Sequence, residues 1–422
     1  MPITFFRQVL ALVEYDKLLD GPAAKEFPSD AIARARAYLH EVKSVGAYSH
    51  SQGVELVRRE VADFIGRRDG FPADPELIFL TDGASPGVQA WIRALIRSES
   101  DGLMIPIPQY PLYSACIPLY GGAAVEYYLD EKSGWSLSIE ALRASFDKAK
   151  AKKINPRALV VINPGNPTGQ CLNAQNIRDI VGFCADRQIV IMADEVYQEN
   201  VYVPNKPFVS FRKVLKQLQE ENPARFGGVQ LVSFHSTSKG MIGECGKRGG
   251  YFEAIGIPAN VRAEFYKLAS ISLCPNVIGQ LTVGLMVNPP RAGDPSYALY
   301  KKEVTDIYES LKRRAEKVTG ALRSLEGVTC NPSEGAMYCF PQIRLPQAAI
   351  AAAKKAEVAP DLFYCLALLE NTGICVVPGS GFGQEDGTYH MRTTFLPMEN
   401  QLDPVLQRMA TFHKEFMTKY KH

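Results

Sequence analysis

The chain has 422 residues, which at about 100–200 residues per domain predicts two or three domains. Hydrophobic residues make up 46% and charged residues 22%, as in globular proteins whose large core needs no disulfide or metal for stability. The formal net charge is +2, which does not favour binding to nucleic acid or to an anionic membrane. No apolar run approaches the roughly 18–20 residues of a membrane span.

The nine cysteines are scattered, without a C-x-x-C pair or a zinc-like spacing to histidine. This pattern predicts reduced thiols, no metal site and an intracellular location, most simply the cytoplasm. The N-terminal stretch carries acidic residues and no small-residue cleavage site, so it does not resemble a secretory signal. A mitochondrial or other organelle location stays open.

Helices are expected in the first forty residues, with an N-cap at Ser29 or Asp30. A loop containing Tyr48 follows. A second helix then presents an apolar face that includes Val57 and Val61, and it ends at Gly70.

From about residue 76, short apolar runs alternate with helical stretches. We predict strands at 76–81, 102–108, 158–163, 189–194, 229–234 and 249–255. After the first strand, Ser85 is the expected cap of a helix that has Pro86 at its first position. Continuous apolar strands between helices predict an α/β fold whose mainly parallel, mixed sheet is covered on both faces, in three layers.

The proline-rich residues 289–295 are the best domain boundary, because a charged helical stretch follows at about 299–326. Strand candidates then occur at 335–343 and 373–381. We therefore expect a helical lead-in at 1–40, a large domain at 41–295 and a smaller α+β domain at 296–422.

Residues that could bind a ligand, through polar side chains or the backbone N–H groups of a helix start, follow the carboxyl ends of the predicted strands. They are Ala84 and Ser85 after Gly83, then Asn163 and Asn166, Asp194 and Tyr197, and Ser236, Ser238 and Lys239, with Arg248 farther along a glycine-rich stretch. Because the carboxyl ends of parallel strands share one edge of a sheet, these groups are expected to form one site.

Pyridoxal 5′-phosphate (PLP) is a ligand that needs this combination. Its aldehyde forms a Schiff base with a lysine such as Lys239, and its ring nitrogen needs a buried carboxylate such as Asp194. Its phosphate suits a helix N-terminus, hydroxyls and an arginine such as Arg248. Lys239 has no acidic neighbour except Glu244, as expected of a lysine that must react as a neutral amine.

Each of these pieces also has an ordinary structural interpretation. The residues after Gly83 could form a capped turn, Asp194 could belong to an ion pair, and Lys239 could be a surface lysine. The glycine-rich residues 240–247 do not have P-loop spacing, and residues 379–384 lack the G-x-G-x-x-G spacing of a dinucleotide site.

Longer stretches resemble the fold-type I PLP-dependent aminotransferases of class I/II, within them the alanine aminotransferase group. These stretches are "IPIPQYPLYSA", "VINPGNPTGQ", "ADEVYQENVY", "SFHSTSKGMIGECGKRGGYFE", "CNPSEGAMYCFP" and "GICVVPGSGFGQEDGTYHMRTTFLP". The likeness covers nearly the whole chain and implies the fold of the type I PLP transferases, with PLP as cofactor.

The resemblance also implies residue roles. Lys239 resembles the Schiff-base lysine, Asp194 the aspartate on the ring nitrogen, and Tyr197 the partner of Asn166 on the phenolic oxygen. Tyr110 is similar to the aromatic that stacks on the ring, and Arg392 to the arginine that, with Asn166, binds the substrate carboxylate. The implied phosphate ligands are Ala84, Ser85, Ser236, Ser238, Arg248 and, from the other subunit of a homodimer, Tyr48.

The reaction implied by the resemblance is L-alanine + 2-oxoglutarate ⇌ pyruvate + L-glutamate, with ping-pong kinetics through a Lys239 aldimine. The alternatives are a glutamate–glyoxylate aminotransferase, a PLP-dependent lyase, and a truncated, non-catalytic binding module of the same fold. Relatives carry a further segment before "PITFFRQVLAL", so we expect an arm and a closing loop that relatives possess to be missing.

Overall fold

The computed structural model describes residues 3–421, and its centre is a seven-stranded sheet. The strands are β1 (Ile78–Thr81), β2 (Asp101–Ile107), β3 (Ala123–Tyr128), β4 (Asn155–Ile162), β5 (Val190–Asp194), β6 (Leu231–Ser236) and β7 (Gly250–Ile255). Their order is β1-β7-β6-β5-β4-β2-β3. Neighbours from β3 to β6 pair in parallel, whereas β7 is antiparallel to β6 and β1. The predicted α/β fold with a mainly parallel, mixed sheet is therefore confirmed.

Helices precede, separate and follow these strands. They are α1 (Thr4–Glu14), α2 (Ser29–Val42), α3 (Glu55–Asp69), α4 (Ala84–Leu95), α5 (Leu112–Leu119), α6 (Ile139–Ala151), α7 (Ala174–Arg187), α8 (Phe211–Glu221), α9 (Pro223–Phe226), α10 (Ala259–Ile271), α11 (Val277–Val287), α12 (Tyr297–Arg323), α13 (Gln347–Lys355), α14 (Pro360–Thr372) and α15 (Glu399–Lys419). Within the described range, no helix is long and apolar enough to cross a membrane.

Alternate residues of each central strand enter two different cores. Leu159 and Val161 of β4 pack with α6, α7 and α8, whereas Val160 and Ile162 pack with α4, α5 and α10. Side chains alternate between the faces of a strand, so a sheet covered on both faces buries every position. This double burial explains the continuous apolar runs in the sequence.

A third core lies beside β1, where α1, α2, α3 and α11 pack together. The Thr4 N–H donates to Glu303 on α12 at 2.9 Å, which joins this N-terminal core to the C-terminal region.

The C-terminal region, residues 297–421, forms its own core from α12 to α15 and five short strands. The strands are β8 (Val328–Thr329), β9 (Tyr338–Cys339), β10 (Gln342–Ile343), β11 (Val377–Pro378) and β12 (Met391–Thr394). They pair antiparallel as β11-β12-β9 and β10-β8. The three-part domain division with its boundaries stays a prediction.

Both helix caps predicted from side chains were wrong. α2 begins at Ser29, but no side chain caps it, and Asp30 instead accepts hydrogen bonds from the N–H and hydroxyl of Ser296. α4 begins at Ala84, so Ser85 lies inside its first turn and Gly83 is the N-cap. The end of α3 at Gly70 is confirmed, because Gly70 adopts the left-handed conformation with φ of 80°.

Three strands were not predicted: β3, the two-residue β8, and β12. β3 lies at the edge of the central sheet, and its alternating buried and exposed residues give no continuous apolar run. β12 is a short strand with one buried residue among four. The single strand candidate at 335–343 divides into β9 and β10, which belong to different sheets.

Candidate active site

A cavity of about 220 Å³ opens at the carboxyl ends of the central strands. Its lining includes the predicted cofactor residues Ala84, Ser85, Tyr110, Asn166, Asp194, Tyr197, Ser236, Ser238, Lys239 and Arg248. Strand order explains this convergence, because β4, β5 and β6 are neighbours and each ends just before its polar residues.

Asp194 ends β5 and is buried. The Tyr113 hydroxyl donates to its Oδ2 atom at 2.8 Å, and the Val196 N–H donates to Oδ1 at 3.4 Å. Burial raises the pKa of Asp194 above its ordinary value, while these two donors and the charge of Lys239 oppose the rise. A buried carboxylate held in this way is suited to pair with a cationic ring nitrogen.

Tyr113 was missed by the sequence reasoning. It lies one helical turn after Tyr110, and on sequence alone it is typical of a core aromatic on α5. The only sequence signal for its role was that spacing from Tyr110.

Tyr197 lies between two polar partners in the cavity wall. The Asn166 amide donates to the Tyr197 hydroxyl at 3.4 Å, and that hydroxyl donates to the hydroxyl of Tyr338 at 3.0 Å. Burial raises the pKa of Tyr197 well above its ordinary value, so the phenol keeps its proton and can act as a donor. Tyr338, on β9, was also missed.

The start of α4 and Arg248 form a cradle for an anion. The guanidinium of Arg248 donates to the carbonyls of Asp82 and Cys245 at 2.9 Å each, which holds it beside the helix N-terminus. A Cβ atom at Gly83, where φ is 85°, would lie only 2.3 Å from Nη2 of Arg248, so this approach requires glycine. The helix start and the guanidinium together suit a phosphate.

Lys239 follows β6 and lies near the tyrosine of the site. Its Nζ atom is 5.4 Å from the centroid of the Tyr197 ring. Glu244, the acidic residue nearest in sequence, instead pairs with Arg7 at 2.8 Å. Glu244 therefore forms its ion pair with Arg7 and not with Lys239.

Arg392 lies on β12, next to the cavity but outside its lining. Its Nη1 atom donates to Oδ1 of Asn166 at 3.2 Å, and its guanidinium lies 4.4 Å from the ring centroid of Tyr338 and 4.7 Å from that of Phe382. Its buried Nε atom has no hydrogen-bond partner among residues 3–421. Donor capacity thus remains available for a further acceptor such as a carboxylate.

The remaining predicted residue, Tyr48, does not line the cavity. Its side chain is 79% exposed. Its assignment to the site of another subunit stays a prediction. Tyr110 does line the cavity, although it is 40% exposed.

These residues are suited to bind three functional groups of PLP. The buried Asp194 suits the ring nitrogen, Lys239 the aldehyde, and the glycine-dependent cradle at Gly83 the phosphate. The chain is therefore a member of the class of PLP-dependent enzymes.

Comparison with known proteins narrows this class. The family model "Aminotransferase class I and II" matches residues 18–409, so the chain belongs to this aminotransferase family and is an enzyme of the type I fold.

Similar proteins are aminotransferases. The chain is 60% identical over 100% of its length to a probable mitochondrial alanine aminotransferase of Dictyostelium discoideum, and covers 78% of that protein. It is 54% identical to glutamate–glyoxylate aminotransferase 1 of Arabidopsis thaliana, with 99% and 87% of the two chains covered. Among solved structures, an alanine aminotransferase from Pyrococcus furiosus matches with a TM-score of 0.74 and 27% identity over 90% of this chain and 88% of that one.

Proposed function

We propose that the chain transfers the amino group of L-alanine to 2-oxoglutarate, giving pyruvate and L-glutamate in two half-reactions with ping-pong kinetics. The observation that carries the proposal is that Lys239, Asp194 and Arg248 line the same cavity. The 60% identity to a protein named as a probable alanine aminotransferase supports the choice of substrates.

The central sheet would hold the cofactor. Arg248 and the start of α4 would bind the phosphate together with the hydroxyls of Ser85, Ser236 and Ser238, and Tyr110 would pack against the ring. Asp194 would hold a proton at the ring nitrogen, and Tyr113 orients the Asp194 carboxylate. When bound, PLP supplies a conjugated cationic ring that takes up the electron pair left at the substrate α-carbon.

The substrate is bound and deprotonated by residues on both sides of the cavity. Arg392 binds the α-carboxylate through two parallel hydrogen bonds, and Asn166 orients its guanidinium. The Nζ atom of Lys239 takes the proton from the α-carbon and holds it for the next transfer. Asn166 and Tyr197 would donate hydrogen bonds that favour an anionic phenolic oxygen, with the Tyr197 proton turned from Tyr338 toward the cofactor when it is bound.

A visible spectrum of the purified protein tests this proposal. We expect a yellow absorption band that bleaches when L-alanine is added and recovers when 2-oxoglutarate follows. Initial rates should give parallel double-reciprocal lines, as expected of a ping-pong enzyme. A band that L-alanine leaves unchanged would contradict the substrate assignment and favour a non-catalytic binding module.

Glutamate–glyoxylate transamination is the second candidate, favoured by the 54% identity to a protein of that name. The two activities share L-glutamate as amino donor and differ in the keto acid. Comparison of kcat/KM for pyruvate and for glyoxylate, with L-glutamate held constant, decides between them. A kcat/KM for glyoxylate that exceeds that for pyruvate would replace the first proposal. A product other than an amino acid and a keto acid would instead indicate a lyase.

The proposal includes a homodimer in which Tyr48 reaches the phosphate bound by the other subunit. The high exposure of Tyr48 in the single chain supports a role outside its own cavity. Sedimentation tests the dimer, and Tyr48→Phe should weaken PLP binding if the hydroxyl reaches the phosphate.

We also propose that the protein is located in a reducing intracellular compartment, with the cytoplasm favoured over an organelle. None of the nine cysteines forms a disulfide in the part of the chain that the structure describes, which supports this proposal. Cell fractionation with an antibody to the native protein tests it.

A further inference from the structure

A second polar cluster connects the loop after β3 with the strand that carries Arg392. Glu131 lies in this loop, and His390 directly precedes β12. The Nε2 atom of His390 is 3.1 Å from Oε2 of Glu131, and the histidine side chain is 2% exposed. The backbone carbonyl of Glu131 also accepts a hydrogen bond of 2.8 Å from Asn331. The central sheet and the C-terminal region therefore meet at Glu131.

The other nitrogen of His390 also faces an acceptor. Nδ1 lies 2.9 Å from Oε1 of Gln384. Two hydrogen bonds fix the orientation of the Gln384 amide. Its Nε2 atom donates to Oδ2 of Asp361 at 3.2 Å, and its Oε1 atom accepts from the His390 backbone N–H at 3.1 Å, so exchange of the two amide atoms would break both bonds. A carboxylate on one side and a fixed carbonyl on the other satisfy the ring only if both nitrogens carry protons. The geometry is therefore that of an imidazolium.

Aromatic packing connects this imidazolium to Arg392. The ring of His390 stacks on Phe340 at 4.8 Å with an interplanar angle of 2°. Phe340 packs edge-to-face on Phe382 at 5.8 Å, and Phe382 lies beneath the guanidinium of Arg392. The His390 carbonyl also accepts from the Gly379 N–H at 2.8 Å, which ties the start of β12 to the end of β11.

We propose that His390 is a positioning residue for the substrate carboxylate. Held as an imidazolium between Glu131 and Gln384, it fixes the strand that carries Arg392 against the central sheet. The inference rests on the proposed function, because it requires Arg392 to bind the α-carboxylate. Without the two His390 donors the contacts with Glu131 and Gln384 are lost, so the strand that carries Arg392 is held less firmly and carboxylate affinity falls.

His390 also helps to line an adjoining cavity of about 710 Å³. The charged groups that face this space come from several elements: Asp130, Glu131 and Lys132 from the loop after β3, Arg344 and Glu385 from the C-terminal region, and Asp361 behind Gln384. Glu131 is the carboxylate in contact with the ring, so its substitution isolates the interaction.

The test measures binding of glutarate, an unreactive dicarboxylate, to the PLP-loaded protein by calorimetry, together with the absorption band of the bound cofactor. His390→Phe keeps the stacking ring but removes both donors. We expect it to bind glutarate about five-fold more weakly than the wild type, with an unchanged band. Glu131→Ala should bind about five-fold more weakly as well, whereas Glu131→Gln should match the wild type, because its amide oxygen can still accept from Nε2.

All variants are compared with the wild type at one pH, so titration of groups in the site does not enter the comparison. His413→Phe is the matched control, since His413 is also buried in the C-terminal region but contacts Tyr364 and the Glu326 carbonyl instead. It should bind glutarate as tightly as the wild type.

Wild-type affinity in His390→Phe and Glu131→Ala, or equal losses in Glu131→Ala and Glu131→Gln, would overturn the inference and leave the proposed function intact. If His390→Phe does not fold, the two Glu131 variants decide, because their site is near the surface. Failure of the wild type to bind glutarate would overturn both the role of Arg392 and the inference built on it.

Discussion

The two halves of the candidate site are built in different ways. In the cofactor half, Asp194 ends a strand that pairs along its length with β4 and β6, in register with Ile162 and Phe234. In the substrate half, Arg392 lies on a four-residue strand whose neighbours, β9 and β11, have two residues each. Pairing on both sides of a strand therefore fixes Asp194, whereas Arg392 has a short backbone pairing with Val377 and depends on side-chain contacts with Asn166, Tyr338 and Phe382.

The halves also differ in what lies behind them. Behind the sheet edge is a buried network of charges, in which Arg212 pairs with Glu253 at 3.0 Å and Arg68 pairs with Asp69 at 2.7 Å. Glu195, next to Asp194, is buried beside them. Behind Arg392 the contacts are mainly aromatic. We therefore expect changes in the first half to affect the chemistry and the pH dependence of stability, and changes in the second half to affect substrate affinity.

Lys239→Ala is expected to have the largest effect. Loss of the amine removes both the covalent attachment point and the proton acceptor, so kcat should fall by more than about 10⁴-fold. The yellow band should be lost or shifted in the visible spectrum. Lys247→Ala is the matched control, because Lys247 lies in the same loop but does not line the cavity. An active Lys239→Ala protein with an unchanged band would refute the assignment.

Arg392→Lys should have the next largest effect and should separate the two halves. The ammonium keeps the charge but loses the two parallel hydrogen bonds, so kcat/KM should fall about 100-fold for both the amino acid and the keto acid. The absorption band of the bound cofactor should not change. Arg313→Lys, at a surface pair with Glu399, serves as the control. An equal loss of cofactor binding in Arg392→Lys would show that the halves are not independent.

The sequence was more informative about the cofactor half, for a physical reason. Asp194 ends one buried apolar strand, Lys239 follows the next strand of the sheet, and Arg248 precedes the antiparallel strand β7, so all three lie at the same edge of the sheet. Tyr113 and Tyr338 reach the site from α5 and β9, where they contact residues that are distant in sequence. The local periodicity of a sequence does not show such contacts. β12 could not be predicted either. Its neighbouring strands have only two residues each, and only one of its four residues is buried, so the sequence shows neither an apolar run nor an alternation.

Tyr113→Phe should have a smaller effect, confined to the cofactor half. The Tyr113 hydroxyl lowers the pKa of Asp194, so its removal should raise that pKa further and weaken the charge at the ring nitrogen. Loss of one hydrogen bond to a charged group predicts PLP binding about ten-fold weaker, measured by cofactor titration of the apoprotein. Tyr127→Phe is the control, since its hydroxyl is also buried but donates to the Val160 carbonyl. Equal affinities in the two variants would contradict the role of Tyr113.

The smallest effect is expected from Glu195→Gln, and it concerns stability. Burial raises the pKa of Glu195 to about 8 from the ordinary 4.5, although Arg68 and the Phe211 N–H oppose the rise. Because the pKa is higher in the folded state, the stability that this group contributes is fully present below about pH 4.5 and is lost as the pH rises through 8.

Between about pH 7 and 9 the wild type should therefore lose about 1.4 kcal/mol of unfolding free energy that Glu195→Gln retains, measured by denaturant unfolding. Other groups that titrate in this range are common to both proteins and cancel in the difference. Glu244→Gln, which breaks the pair with Arg7, should shift stability equally at both pH values. The same slope in the wild type and Glu195→Gln would mean that Glu195 is ionised throughout. The buried network behind the sheet would then keep the same charge between pH 7 and 9. The cofactor half would no longer differ from the substrate half in its effect on the pH dependence of stability.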